Sequence, residues 1–373
     1  MKKCGLVYIL CLLFLFSPIA RCEGALAGSG LFVMALDEPQ ALSSRREISK
    51  LVNLAKRIRA RVIFIQIYRG NRSWFASKIA DPAPYNACLE NVSEDPLGLL
   101  IKQAHSLGIE VHAWLNILSL SRNKNAPILR KYGFSVLTRD LKEKKGPEDY
   151  RIDGQYFLEP GDIRVRGELS GIVEEVVRAY PDLDGIQLDY VRYPDKNPAY
   201  GYTAMNMERF RKATGAKHIE EDSHVWQDWK SAQVTAMLER LVQAARRIRP
   251  NIRISVTGCM PIQRACSEAF QDWPSWLNRK LVDFVTVMDY SPEPSEFKRW
   301  ISAIKDKVDD FRKVKIGIGA YKLGNLPEEF KEELRFSEKL EAGGYVIFHY
   351  SSLTENPALV NILEEENASS VIP

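Results

Sequence analysis

The sequence predicts an α/β protein built as a single (β/α)8 TIM barrel. Eight short apolar runs recur along the chain, which is typical of parallel strands buried on both faces. The runs are 31–36, 62–68, 110–115, 185–191, 252–257, 282–288, 314–320 and 345–350. Segments with helical periodicity lie between them, and no linker or low-complexity segment interrupts the alternation. Eight strand–helix units over about 340 residues fit such a barrel.

Three of the intervening segments show helical periodicity most clearly. Their apolar residues follow the i, i+3, i+4 spacing that gathers side chains on one helix face. These residues are Ile48, Leu51, Val52, Ala55 and Ile58 in the first segment, Leu169, Ile172, Val173, Val176 and Val177 in the second, and Val234, Met237, Leu238, Leu241, Val242, Ala245 and Ile248 in the third. A doubly wound open sheet is the alternative fold. It usually carries a glycine-rich phosphate loop after its first strand, and Leu36–Pro39 is not such a loop.

Composition narrows the class of protein further. The 373 residues are 45% apolar and 27% charged, which excludes a disordered chain, a collagen and a coiled coil. The formal net charge is only +4, and the clustered arginines at 246–253 end a helical pattern. A nucleic-acid partner would require a basic stripe, which this sequence does not show. No nucleic acid is therefore predicted as a partner.

The first 27 residues are predicted to be a secretory signal peptide. Lys2 and Lys3 precede the apolar run 6–16, which is too short for a membrane span, and a small-residue cleavage site follows at Ala25–Ala27. A cut near Ala20 is the alternative. Arg21 disfavours a lipid anchor at Cys22, because such anchors need a small residue there. We expect a mature barrel over 28–373 that is secreted or periplasmic and has no membrane span.

The mature chain holds an odd number of cysteines. Cys88, Cys259 and Cys266 remain after removal of the signal peptide, which is not a disulfide framework. A Cys259–Cys266 bridge stays open as an alternative in an oxidising compartment.

Strand parity predicts a polar site at one end of the barrel. Alternate residues of a barrel strand face the interior, and the active sites of such barrels lie at the carboxyl ends of the strands. In several strands the face opposite the helix-facing apolar residues becomes polar near that end. The residues expected at this mouth are Gln66, Tyr68, His112, Trp114, Asn116, Gln187, Asp189, Tyr290 and Tyr350. Buried polar groups add nothing to a packed core, so we expect one solvent-accessible polar site.

These residue types suit carbohydrate binding better than metal or serine chemistry. Aromatic rings stack on sugar faces, and amide and imidazole groups bind hydroxyls. The five histidines show no i, i+3 or i+4 pair, and no G-x-S-x-G elbow occurs. The sequence therefore predicts neither a metal ion nor a cofactor.

The segment Asp184–Pro194 (DGIQLDYVRYP) is the most specific motif of the chain. It resembles the D-G-I-x-x-D-Y-x-R-Y-P motif on the fourth strand of glycoside-hydrolase-like family 10, which comprises bacterial barrel proteins. Weaker similarity includes Gln66–Gly70, Val111–Asn116 and Pro160–Gly161, and it extends over residues 30–355. The resemblance implies hydrolysis of a glycan, and for a secreted bacterial protein a cell-wall or extracellular polysaccharide. It also implies that Arg69 lies in the second-strand loop of the site.

Glycosidases usually need two carboxyl groups, one as acid and one as base or nucleophile. Asp189 is the first candidate, because it ends strand four, has inward parity and lies in the sharpest motif. The second candidates are Asp289, whose parity counts against it, and Asp37, which lies in a less specific segment; Glu159 is close in sequence. Arg192 and Tyr193 either contact substrate or brace the loop.

Two other functions remain open. A glycan-binding barrel without catalysis would explain the uncertain second carboxyl group, and a metal-dependent polysaccharide deacetylase is the other alternative. A chitinase mechanism does not carry over from the D-x-x-D-x-D-x-E motif. Gln187 replaces its middle Asp, and Val191 replaces its acidic Glu.

Overall fold

The computed structural model describes residues 28–195 and 197–369, and the predicted signal peptide lies outside this part of the chain. Eight parallel strands form the barrel. They are β1 (Gly30–Val33), β2 (Val62–Arg69), β3 (Glu110–Asn116), β4 (Gly185–Asp189), β5 (Arg253–Cys259), β6 (Phe284–Asp289), β7 (Val314–Ile318) and β8 (Tyr345–Ile347). All eight predicted strands are confirmed.

The strands pair in sequence order, and the sheet closes on itself. β1 pairs with β2 through Val33 and Ile65, and with β8 through Leu31 and Ile347. Closure confirms the predicted barrel and rules out the open sheet, which would leave two unpaired edges. In a closed ring of eight strands β4 lies opposite β8.

Helices surround the barrel and fill the connections. They are α1 (Arg45–Arg57), α2 (Ala83–Val92), α3 (Pro96–His105), α4 (Pro127–Tyr132), α5 (Ile163–Ala179), α6 (Ala204–Thr214), α7 (His224–Ile248), α8 (Ile262–Ser267), α9 (Trp273–Asn278), α10 (Pro294–Ser302), α11 (Ala320–Leu323), α12 (Pro327–Lys339), α13 (Tyr350–Glu355) and α14 (Pro357–Ser369). Side-chain caps fix several helix starts: Ser44 accepts from the Glu47 amide, and Asp95 accepts from that of Gly98.

Most of the buried apolar residues form two layers, and a third, small cluster holds Tyr202, Phe210 and Trp226. The larger cluster packs the outer faces of the strands against the helices and contains, for example, Ile63, Val111 and Val285. A smaller cluster fills the barrel interior, with Phe32, Val62, Phe64, Trp114, Phe284 and Val346 at its centre. The interior is therefore a packed core over its lower part, as barrels of this kind require.

Three short strands lie at the mouth, which is the end of the barrel formed by the carboxyl ends of the parallel strands. Arg72–Ser73 folds back on the end of β2 as an antiparallel pair. Ser119–Ser121, just beyond β3, pairs with Tyr156–Phe157. These loops build a wall above β2 and β3.

The helices and the cysteines of the described residues show two further features. Within the described residues, no helix is both long and apolar enough to cross a membrane. Cys259 is a buried free thiol and Cys266 an exposed one, so the bridge left open between them is not formed.

Candidate active site

Asp189 lies at the end of β4 and is held by three donors. The Trp114 indole Nε1 donates to its Oδ2 at 3.0 Å. The Thr257 hydroxyl donates to its Oδ1 at 2.5 Å, and the Tyr190 amide donates to the same oxygen at 2.7 Å. Asp189 is 3% exposed, so the expectation of a solvent-open carboxylate is wrong for this side chain. Strands β3, β4 and β5 each contribute to one fixed carboxylate orientation.

Gln66 and Asn116 extend this network around the mouth. The Gln66 side-chain amide donates to Asn116 Oδ1 at 3.1 Å, and Gln66 Oε1 accepts from the Ala35 amide at 3.3 Å. Asn116 is the strand partner of Asp189. The predicted inward positions of β2, β3 and β4 therefore meet at one place, where Gln66 and Asn116 are both buried.

An aromatic wall faces Asp189. Trp114 packs edge-on against Phe32, with ring centroids 5.0 Å apart, and Phe348 stacks on Tyr290 at 4.9 Å. Burial and the nearby Asp189 charge raise the pKa of the Tyr290 hydroxyl well above its ordinary value. Tyr321 is 48% exposed and lies against Phe348, so it presents a free ring surface at the rim. Rings at a polar mouth are platforms for sugar faces.

Asp37 joins a cluster with His349 and Ser351 at the ends of β1 and β8. His349 Nδ1 lies 2.9 Å from Asp37 Oδ2, and the Ser351 hydroxyl donates to the same oxygen at 2.6 Å. Burial opposes ionisation of Asp37. Hydrogen bonds from His349 and Ser351 and the charge of Arg69 outweigh that effect and lower its pKa. Sequence reasoning gave no site role to His349 or Ser351, because nothing in the sequence places either residue beside Asp37.

Arg69 reaches the mouth, whereas Tyr68 does not. The register of β2 against β3 shifts between Gln66 and Tyr68, so the residues beyond the shift exchange faces. Tyr68 is fully buried in the outer core, where its hydroxyl accepts from Asn71 at 3.1 Å. Arg69 instead lies within electrostatic reach of Asp37 and Tyr190. Because of this irregularity Tyr68 does not lie at the mouth, and that prediction is wrong.

Tyr350 and His112 also lie away from the mouth. β8 ends at Ile347, so strand parity stops there, and Tyr350 begins α13 and packs in the outer core. His112 does face inward, but one layer below Trp114, between the Phe64 and Phe284 rings. Glu110 Oε2 also lies 3.7 Å from its Nε2 at the lower end of the barrel, but burial outweighs that carboxylate and lowers the pKa of His112. It contributes to the floor of the barrel.

Gln187 supports the layer beneath Asp189. It is fully buried and inward, and its Oε1 accepts from the Ser255 hydroxyl on β5. Its amide nitrogen makes no hydrogen bond in the part of the chain that the structure describes. Substrate contact at Gln187 remains a prediction.

Asp289 points out of the barrel. It shares parity with Val285 and Val287, which pack against the helices, and it is fully buried. Burial raises its pKa to about 8, and burial together with the Asp289 carboxyl raises that of Glu333 on α12 to about 9. The structure therefore does not bring Asp289 together with Asp189.

Arg192 and Tyr193 brace the loop after β4. Arg192 lies over the Tyr190 ring, with its guanidinium carbon 4.5 Å from the centroid, and pairs with Asp195 at 2.9 Å. The Tyr193 hydroxyl donates to the fully buried Glu159 at 2.5 Å. Tyr190 itself has φ of 54°, a left-handed conformation that is costly for a large residue. These contacts hold that turn directly beyond Asp189.

A groove of about 650 Å³ continues from the mouth over the loops after β1, β2 and β3. We call it the basic groove, because four cationic residues line it, Arg69, Arg72, Arg122 and Lys124, against one acidic residue, Asp153. Trp74 also contributes to its wall. A groove of this charge fits an extended ligand that carries anionic groups.

The comparisons with known proteins identify the family of this chain. The family model described as "Glycosyl hydrolase-like 10" matches residues 32–333. The chain is 26% identical to the protein named glycosyl hydrolase DigH of Escherichia coli K12, over 83% of this chain and 76% of that protein. It is 20% identical to glycosyl hydrolase YngK of Bacillus subtilis, over 84% of this chain and 64% of that protein.

Two solved structures show the similarity in fold. An α-L-fucosidase isoenzyme 2 from Paenibacillus thiaminolyticus matches with a TM-score of 0.62 and 14% identity, over 92% of this chain and 50% of that one. The catalytic domain of a β-amylase from Paenibacillus polymyxa matches with a TM-score of 0.59 and 13% identity, over 93% and 99%. At these identities the likeness establishes the TIM-barrel fold alone.

Proposed function

Because the chain belongs to the glycosyl hydrolase-like 10 family, we propose that this barrel hydrolyses glycosidic bonds of a cell-wall or extracellular polysaccharide, with Asp189 as the central carboxylate. The observation that carries the proposal is the fixed position of Asp189 at the mouth. Three donors from the backbone, Trp114 and Thr257 orient it. A preorganised carboxylate is suited to stabilise the positive charge that develops on a sugar ring in glycoside hydrolysis.

The surroundings of Asp189 support a carbohydrate substrate. Tyr290 and Tyr321 offer ring surfaces, and Gln66 and Asn116 offer amides. Asp37 is the second carboxyl group that we place at this mouth, and Arg69 lies between it and the β4 loop. We assign Arg192 and Tyr193 a structural role, which is to hold the turn at Tyr190 directly after Asp189.

The basic groove supports a polymer that bears acidic groups. Arg122 and Lys124 are exposed within it, so their charges meet solvent and ligand directly. A single ion pair with an exposed cation adds little binding free energy. A polymer with repeated carboxylates or phosphates engages several of these cations at once, and the contributions then combine. We propose that the substrate is an anionic polysaccharide bound along this groove.

Hydrolysis is tested with the purified protein on labelled peptidoglycan, chitin-type and plant-type glycans. New reducing ends should appear with one of these substrates and fall at least a hundredfold with Asp189→Asn. Binding without turnover would instead identify a glycan-binding barrel. Acetate release that stops on addition of a chelator would identify a deacetylase.

We further propose that the protein acts outside the cytoplasm. The support is the predicted signal peptide of residues 1–27, with its lysines followed by a short apolar run. N-terminal sequencing of the protein from its native cells should find a start between residues 21 and 28. An intact leader on soluble cytoplasmic protein would refute this location.

A further inference from the structure

We propose that His349 transfers the proton in the reaction and that Asp37 is its positioning residue, an inference that rests on the proposed glycoside hydrolysis. His349 directly follows β8, and Asp37 follows β1, the neighbouring strand in the closed barrel. His349 Nδ1 lies 2.9 Å from Asp37 Oδ2 and 2.7 Å from Ser351 Oγ. The pair has the arrangement of a carboxylate that orients a histidine for acid–base chemistry.

The hydrogen bonds decide which ring nitrogen is free. A hydroxyl has one proton, and Ser351 gives that proton to Asp37 Oδ2 at 2.6 Å. The short contact between Ser351 Oγ and His349 Nδ1 therefore needs the hydrogen on Nδ1. In the neutral imidazole Nε2 then holds the lone pair. Nε2, on the opposite edge of the ring, is the atom left to exchange protons with a substrate.

His349 lies at the same mouth as Asp189 but across the barrel from it. β8 is opposite β4 in the ring of strands. The Trp114 ring that holds Asp189 packs at 6.2 Å against Phe348, the residue before His349. Tyr321 covers the His349 ring nearly parallel, with centroids 6.2 Å apart. A sugar bound between the two walls would have Asp189 on one side and His349 on the other.

Other acidic side chains near β4 and β6 are engaged elsewhere. Asp289 faces the outer helices beside Glu333. Glu159 is fully buried beneath the β4 loop and accepts from Tyr193. Asp195 pairs with Arg192 and Arg264. His349 is in contrast 16% exposed at the mouth.

In the proposed reaction His349 gives one proton to the leaving group and takes one back from water. When the glycosidic C1–O bond breaks, its electron pair goes to the leaving oxygen, and that oxygen takes the proton from protonated Nε2. A water molecule then provides the oxygen of the new bond to C1, either directly or after Asp189 has bonded to C1 and left again. The proton lost by that water returns to Nε2, which restores the starting state.

The test compares His349→Ala with Asp37→Asn on the glycan that the wild-type protein hydrolyses best. It also uses the 2,4-dinitrophenyl glycoside of the same sugar, whose leaving group needs no proton. His349→Ala should lower turnover of the glycan by roughly 10²–10⁴-fold. It should lower turnover of the dinitrophenyl glycoside less than tenfold, and added imidazole should restore part of the glycan activity. Asp37→Asn should give the same pattern with a smaller loss and a shifted pH profile.

His105→Ala is the matched control. His105 also pairs with an aspartate, Asp184 at 2.7 Å, but at the opposite end of the barrel, before β3 and β4. It should leave turnover of both substrates unchanged.

The outcomes separate this inference from the proposed function. Equal losses on both substrates in a folded His349→Ala protein would mean a structural role and overturn the inference. Unchanged glycan turnover in that variant would do the same, while hydrolysis by the wild type would stand. If the wild-type protein hydrolyses none of the glycans, the proposed function fails, and the inference fails with it.

Discussion

The indole N–H of Trp114 donates to the carboxylate of Asp189 across 3.0 Å, and this bond joins the third and fourth barrel strands at the centre of the site. Trp114 also packs against Phe32 and Phe348 in the interior aromatic cluster. The position of the carboxylate therefore depends on the packed core of the barrel, whose side chains cannot shift independently. A rigid scaffold of this kind favours precise placement of a reacting group.

Asp189→Asn should abolish activity and also cost stability. Asn cannot accept from all three donors, because one of its terminal atoms is an NH2 group that must face either Trp114 Nε1 or the Thr257–Tyr190 pair. A buried polar group left unpaired costs roughly 1–3 kcal/mol. Reducing-end assays should show at least a hundredfold loss, and thermal unfolding should show a lower Tm. A stable, fully active variant would remove Asp189 from the reaction.

Trp114→Phe and Asp189→Asn together should cost less stability than the two single changes added, and the double variant should remain inactive. Trp114→Phe alone leaves Asp189 Oδ2 without its donor. Asp189→Asn alone sets the Asn NH2 group against the Trp114 N–H or against the Thr257–Tyr190 pair. The first of these costs is absent from the double variant. Thermal unfolding of the two single variants and the double variant measures this coupling. Recovered turnover in the double variant would show that the Asp189 charge is not required.

Strand parity predicts the position of a side chain correctly where the strand is regular. In β3 and β4 the alternation is unbroken, and Trp114, Asn116 and Asp189 lie where parity places them. In β2 a register shift exchanges the faces beyond Gln66, so that Arg69 rather than Tyr68 reaches the mouth. Parity extrapolation fails at such irregularities, because they depend on contacts with neighbouring strands that one sequence does not specify.

The contacts of Asp37 with His349 and Ser351 are beyond sequence reasoning for a different reason. Asp37 is a candidate from the sequence, but His349 and Ser351 are more than 300 positions away from it, and nothing in the sequence places them beside it. Only closure of the barrel, with β8 against β1, brings them together. Contacts across this seam follow from the tertiary fold and not from local pattern.

Charge removal in the basic groove should weaken binding without slowing the chemical step. Arg122→Gln with Lys124→Gln should raise KM for a carboxylate-bearing glycan severalfold, leave kcat unchanged and reduce the dependence of KM on salt. Steady-state kinetics at two ionic strengths measures this. Arg178→Gln with Lys339→Gln, exposed on the outer helices α5 and α12, is the control. Equal KM values for both double variants would show that the groove does not bind the substrate.

The buried Asp289 and Glu333 should make the protein less stable as the pH rises. Burial raises their pKa values to about 8 and about 9, far above those of exposed carboxyls. Between about pH 4.5 and 8 the folded state therefore keeps protons on these two groups that the unfolded chain releases, so their contribution to the free energy of unfolding falls with pH. Two buried bases act in the opposite direction: His112, whose pKa burial lowers, does so near and below its ordinary range, and Lys315, whose pKa burial lowers to about 8, does so only above that pH.

Glu333→Gln isolates this effect, because Gln keeps the shape but cannot ionise. The variant should match the wild-type Tm at pH 5 and exceed it at pH 8. At pH 8 the wild-type carboxyl must either stay protonated, although an exposed carboxyl would be ionised, or be buried as a charged group. Gln avoids both costs. Glu332→Gln on the same helix is the control, since Glu332 is exposed and pairs with Lys298. It should not change the slope of Tm against pH. A Glu333→Gln slope as steep as that of the wild type would mean that the carboxyl of Glu333 does not stay protonated in the folded protein.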